Sequence, residues 1–153
     1  GYKNIRINSS GIEYSKSIEE GLKQGRVSLV ISPDAGTKGT FEKIKQVKCY
    51  NKVWENIRRY AAANKELLKV KFILYPGVND TYEEIDKWFD EVIKNGVKAV
   101  CFSIEQHWFQ DNFPDFTQEI YEKLKYMEKR SKELNLELEI YCEALTVLKH
   151  FKD

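Results

Sequence analysis

The sequence predicts an α/β fold of repeated βα units on a parallel sheet, either open or part of a TIM-like (βα) barrel. Three observations lead there. Val27, Leu29, Val30 and Ile31 form a nearly continuous apolar run, the pattern of a strand buried on both faces and hence of a parallel sheet. Five such runs alternate with segments of helical period, joined by turns of a few residues. That spacing requires right-handed crossovers and parallel strands. Finally, polar side chains follow the apolar runs where a βα fold opens its ligand-binding mouth.

The elements follow in order. Ile5 and Ile7 alternate with polar neighbours over Lys3 to Ser9, reading as a half-exposed strand that ends in Asn8, Ser9, Ser10 and Gly11. Ser17 with Glu20 has capping-box spacing, Ile18 and Leu22 give that helix its apolar side, and Gly25 ends it. The Val27–Ile31 strand is next. A helical region from about Thr40 to Lys65, broken near Cys49 to Asn51, carries Val53, Trp54, Ile57 and Tyr60 on one stripe. Leu68 to Tyr75 is the third strand, and Pro76 and Gly77 force a turn after it. Thr81 pairs with Glu84 as a second capping box, ahead of a helix through Ile85, Trp88, Phe89 and Val92 that Gly96 closes. Val97 to Ile104 is the fourth strand, followed by an aromatic-rich irregular loop from Gln106 to Phe116. A helix to Asn135, a strand through Leu136, Leu138 and Ile140, and a short helix over Glu143 to Phe151 complete the chain.

Size and composition narrow the function. The 153 residues suit one domain, 1–153. Lys and Arg total 25 against 24 Asp and Glu, so the bulk basic field of a nucleic-acid binder is absent. No apolar run approaches the roughly 18 residues of a membrane span, and the expectation is a soluble protein. Three widely spaced cysteines, Cys49, Cys101 and Cys142, suit a reducing cytoplasm better than a disulfide scaffold. Cys101 and Cys142 are expected to pack as small buried hydrophobes. The start at Gly1, just ahead of a strand, suggests a fragment boundary.

The strand-end residues then carry a resemblance. Ser32-Pro-Asp-Ala-Gly-Thr-Lys-Gly-Thr-Phe-Glu-Lys-Ile-Lys45 resembles the fourth-strand segment of radical S-adenosylmethionine (radical SAM) enzymes. Tyr75-Pro-Gly-Val-Asn-Asp80 resembles the turn after their fifth strand, and Ile7-Asn-Ser-Ser-Gly11 the end of their third. All three stand in the family's order. The resemblance implies a partial barrel in which Ser32 and Asp34 face the ribose or methionine part of S-adenosylmethionine. It puts Lys45, or less well Lys43, near the methionine carboxylate. Tyr75, Gly77 and Asn79 would lie beside the adenosine, and Ser103 and Glu105 near the adenine, with Asn8 on the same rim. The chemistry agrees, because a zwitterionic tail needs a carboxylate partner and ribose hydroxyls need short polar groups.

One departure is large. The family's Cys-x-x-x-Cys-x-x-Cys, which holds a [4Fe-4S] cluster, is missing, and cysteines this far apart in sequence lack the spacing of a cluster motif. The resemblance therefore implies the carboxyl-side portion of a barrel lacking its first two strands. The parent would cleave S-adenosylmethionine reductively to start a radical on a small-molecule or peptide substrate. This chain alone is expected to hold no cluster and to be inactive, and no residue is assigned to catalysis. Two other readings stay open. One is a non-catalytic interaction module that associates, with itself or a partner, through the open Ile5/Ile7 strand edge. The other is a different barrel enzyme using Glu105, Asp34 and His107 for acid–base work. Trp108, Phe109, Phe113 and Phe116 are expected either to fold inward or to form a lid or partner surface.

Overall fold

The structure, a computed structural model, describes residues 4–151; Lys3, the expected start of the first strand, lies outside them. Five strands, β1 (Ile5–Ser9), β2 (Val27–Ile31), β3 (Leu68–Leu74), β4 (Ala99–Ile104) and β5 (Glu137–Ile140), form one parallel sheet in the order β1-β2-β3-β4-β5. Sequential order with right-handed crossovers is the connectivity of a barrel wall. The expected α/β fold and partial barrel are both present. Helices α1 (Lys16–Lys23), α2 (Lys38–Lys45), α3 (Tyr50–Asn64), α4 (Tyr82–Lys94), α5 (Gln106–Asn112), α6 (Gln118–Glu133) and α7 (Cys142–His150) make the connections and the final turn.

The core lies between sheet and helices. Leu68, Val70, Phe72 and Leu74 alternate along β3, fully buried on the outer face. There Phe72 meets Trp88 of α4 edge-on at 5.2 Å, and Phe89 meets Phe102 of β4 at 6.2 Å. Such edge-to-face pairs add to the area these rings bury. The stripe Val53, Trp54, Ile57 and Tyr60 is buried on α3 as expected. The other sheet face is concave and polar. Parallel register sets Lys71 beside Cys101 and Cys101 beside Glu139, and one step on sets Ile73 beside Ser103.

Several local expectations are corrected. Helix α1 is capped by Ser15, whose hydroxyl accepts from the Ile18 N–H at 3.4 Å, and not by Ser17, which lies inside the helix and exposed. The Thr81 cap forms, accepting from the Glu84 N–H at 3.2 Å, but the Glu84 carboxylate does not return to Thr81. It accepts instead from the N–H groups of Gly36 at 2.7 Å and Thr37 at 2.9 Å, and from the Thr37 hydroxyl. A long-range partner has displaced the local one. Gln106 to Asn112 is a helix rather than irregular loop, capped by Glu105, which accepts from the Trp108 N–H at 2.7 Å. Phe116 is buried and Trp108 and Phe109 stack on it, while Phe113 points outward at 59% exposure. Cys101 is buried as expected, but Cys142 is exposed because it opens α7 beyond the sheet.

Candidate functional site

The Ser32-to-Thr37 turn is built first, from Asp34. This residue takes a left-handed backbone conformation, φ 57°, and is wholly buried. Its Oδ1 accepts from the Ile73 N–H at 2.8 Å and its Oδ2 from Lys45 Nζ at 2.5 Å. Burial pushes the Asp34 carboxyl above the ordinary range, and the Lys45 ammonium opposes that push. Asn79 completes the joint: its amide donates to the carbonyls of Asp34 and Ile73, both at 2.8 Å, and its Oδ1 accepts from the Tyr75 N–H at 2.7 Å. The N–H groups of Ile73 and Tyr75 and the carbonyls of Asp34 and Ile73 thereby gain partners, as burial demands.

Gly36 shows how tightly the turn is seated. A Cβ there would lie 2.3 Å from the Glu84 carbonyl oxygen and 2.4 Å from the Trp88 nitrogen. The turn packs directly on the α4 backbone, and Tyr50 donates its hydroxyl to the Gly36 carbonyl at 2.7 Å. On the next turn Gly77 takes φ 76°, which glycine adopts without a Cβ clash, and donates its N–H to Asp80 Oδ2 at 2.8 Å.

Beyond this joint, at the carboxyl ends of β3 and β4, opens a cavity of about 240 Å³ whose lining includes Lys71, Tyr75, Ser103, Glu105, Tyr141 and Glu143. Burial, then the nearby Asp34 and Glu105 charges, raises the Tyr75 hydroxyl above its ordinary range. Burial would also raise Glu105, but the N–H groups of Trp108 and His107 together outweigh it and hold that carboxyl below its usual range. Tyr141 carries Lys71 Nζ over its ring at 4.3 Å and accepts a hydrogen bond from Arg6. A larger depression of about 720 Å³ runs along the outer face of α6 among Lys125, Glu128, Lys132 and Glu133. Lys125 and Lys132 pair with Glu128, and Glu133 pairs with Arg130, all along the exposed side of α6, so this depression is solvated surface.

The residues singled out in the sequence therefore divide. Tyr75, Ser103 and Glu105 line the mouth cavity; Ser32 is half-buried just past β2, and Asn8 is exposed on β1. Asp34, Lys45 and Asn79 spend their side chains inside the wall that carries the mouth. His107 is exposed on α5, and Asp34 is sealed from solvent, so Glu105, Asp34 and His107 do not share one open site. Lys71, Tyr141 and Glu139 escaped the sequence reading. A signal for them existed: lysines at 69 and 71 alternate with Val70 and Phe72, marking a polar inner face.

Among the described residues no three His, Cys, Asp or Glu side chains converge to hold a metal ion. Among them, too, no helix is long and apolar enough to cross a membrane.

No protein-family model matches the chain, and no curated protein matches it in sequence. Solved structures do match its fold. A domain of pyruvate-formate lyase-activating enzyme from Bacteroides vulgatus superposes with TM-score 0.66 at 14% identity, covering 89% of this chain and 80% of that one. SuiB from Streptococcus suis, bound to S-adenosylmethionine, gives 0.64 at 12% identity over 97% of this chain and 35% of its own. A radical SAM methyltransferase from Sphaerobacter thermophilus gives 0.57 at 10% identity over 89% and 39%. The chain thus spans most of the first of these and little more than a third of the other two. Its five parallel strands and alternating helices have the fold of the partial βα barrel found in radical SAM enzymes.

Proposed function

We propose that this chain is the carboxyl-side wall of a radical SAM barrel, whose parent cleaves S-adenosylmethionine reductively at a [4Fe-4S] cluster. The observation that supports this best is the mouth at the carboxyl ends of β3 and β4, where Tyr75, Ser103 and Glu105 meet in a fold shared with a protein bound to that cofactor. The residues present suit the nucleoside and amino-acid parts of the cofactor and not the cluster, which needs clustered thiolates from outside this sequence. In this reading Asn8, Ser32, Tyr75, Gly77, Ser103 and Glu105 form the contact surface, offering hydroxyls, an amide and a carboxylate to ribose and base, with Gly77 leaving the turn free of a side chain. Asp34, Lys45 and Asn79 hold that surface in shape. When bound, the cluster supplies the electron that opens the carbon–sulfur bond; this chain's part is to bind and orient. The reaction takes place in the cytoplasm, on a small molecule or peptide.

The test is iron and sulfide analysis of the full-length protein that contains this sequence, with S-adenosylmethionine added. A cluster that changes its spectrum on addition is expected, and its absence removes the reading. The isolated chain is expected to bind the cofactor weakly or undetectably by calorimetry and to hold no iron.

A second reading has one observation in its favour. Strand β1 lies at the sheet edge with Ile5 47% exposed, a geometry open to pairing with another strand. Sedimentation showing a dimer that Ile5→Lys abolishes is the result this reading expects, and a strict monomer ends it.

A further inference from the structure

The concave face distributes its charges unevenly. Glu139 takes two cations, Lys69 Nζ at 2.6 Å and Arg6 at 3.8 Å. Lys71, beside it across Cys101 in the register, has no ion pair among the described residues. Its ammonium rests on the Tyr141 ring, 4.3 Å from the centroid, and lines the mouth cavity. The nearest buried acid it influences, Asp34, is already held by Lys45. A half-buried ammonium with an aromatic platform and no carboxylate is an incomplete pair.

Resting on the reading of the mouth as the ligand site, we propose that Lys71 binds a carboxylate of the substrate, one step in along β3 from Ile73 and Ser103 and in the same mouth whose rim is read as the cofactor contact. The size fits, since about 240 Å³ holds a side chain or a peptide terminus and falls below the usual drug-sized range. The charge fits as well. Glu105 and Glu143, which line the same cavity, repel a doubly charged phosphate more strongly than a single carboxylate, and they favour one with an amine nearby. Tyr141 keeps Lys71 over the cavity: with its hydroxyl taken by Arg6 and its ring under the ammonium, it is a positioning residue.

The test uses the whole chain and dialanine as probe, following the backbone amides of Cys101 and Ser103 and the Lys71 side chain by NMR. Dialanine is expected to shift these signals, and its carboxamide is not. Lys71→Gln should weaken dialanine binding at least fivefold, and Lys71→Arg, which keeps the charge, should restore most of it. Equal shifts from acid and carboxamide, or undiminished binding to a folded Lys71→Gln chain, overturn the proposal. Tighter binding of inorganic phosphate overturns the carboxylate assignment. Displacement of dialanine by S-adenosylmethionine overturns the assignment to the substrate. The earlier reading is tested separately, by the cluster of the full-length protein, so its failure and the failure of this proposal are distinguishable.

Discussion

Asp34 concentrates several demands on one side chain: a left-handed backbone, total burial, an ion pair to Lys45 and a hydrogen bond from the β3 backbone. Removing one partner of a buried pair strands the other. Asp34→Ala should therefore cost about 3 kcal/mol or more by urea denaturation, whereas Lys43→Ala, exposed on the same helix, should stay within about 0.5 kcal/mol. Buried groups on the inner face also set an alkaline limit. Burial raises the Cys101 thiol from 9.0 to about 11 and the Tyr141 hydroxyl from 10.0 to about 12. With folded values raised, their stabilisation is complete below the unfolded values and is lost as pH climbs through the folded ones. Thermal midpoints should fall from about pH 9 upward, by up to ~1.4 kcal/mol of stability per pH unit for Cys101. Cys101→Ala should flatten that slope; an unchanged slope means the thiol ionises freely. In the sequence Asp34 was recognisable as a strand-end polar residue, but its direction was not, because turn, cap and ligand roles use the same residue types.

At the scale of elements, the β2 turn and helix α4 behave as one body. Glu84 reaches from α4 to two N–H groups and a hydroxyl of the turn, and Gly36 lets the backbones touch. Gly36→Ala should cost about 3 kcal/mol or more, since neither contacting atom belongs to a side chain free to rotate away. Gly39→Ala, with nothing within 4 Å of its Cβ and a place inside α2, should gain about 0.5 kcal/mol. Denaturation of the two variants side by side checks the pair, and equal effects would contradict this packing. The strands and the longer helices were legible because apolar period is a local property. The Glu84 contact and helix α5 were not, because the deciding partner or packing surface is distant in sequence, and the Ser15 cap was not, because Ser15 and Ser17 are the same residue type two positions apart.

Across the whole molecule, the sheet brings its two edge strands together over the concave face, Arg6 of β1 reaching Tyr141 just past β5. Exposed ion pairs contribute little, so Arg6→Ala should lower stability by under about 1 kcal/mol. It should nevertheless speed amide exchange in β1 relative to β3, because β1 has a neighbour on one side only while β3 has two. Uniform exchange across the sheet would show that the edges are held by something other than this contact. Alternation of strands and helices, burial of β2 and the approximate rim of polar tips were determined by the sequence alone, since period and turn chemistry act over a few residues. Which of those tips line the cavity and which brace the wall was decided only by the tertiary structure. Direction of a side chain depends on sheet register and on partners 30 to 50 residues away, as with Asp34 to Ile73, Asn79 to Asp34 and Gly36 to Glu84.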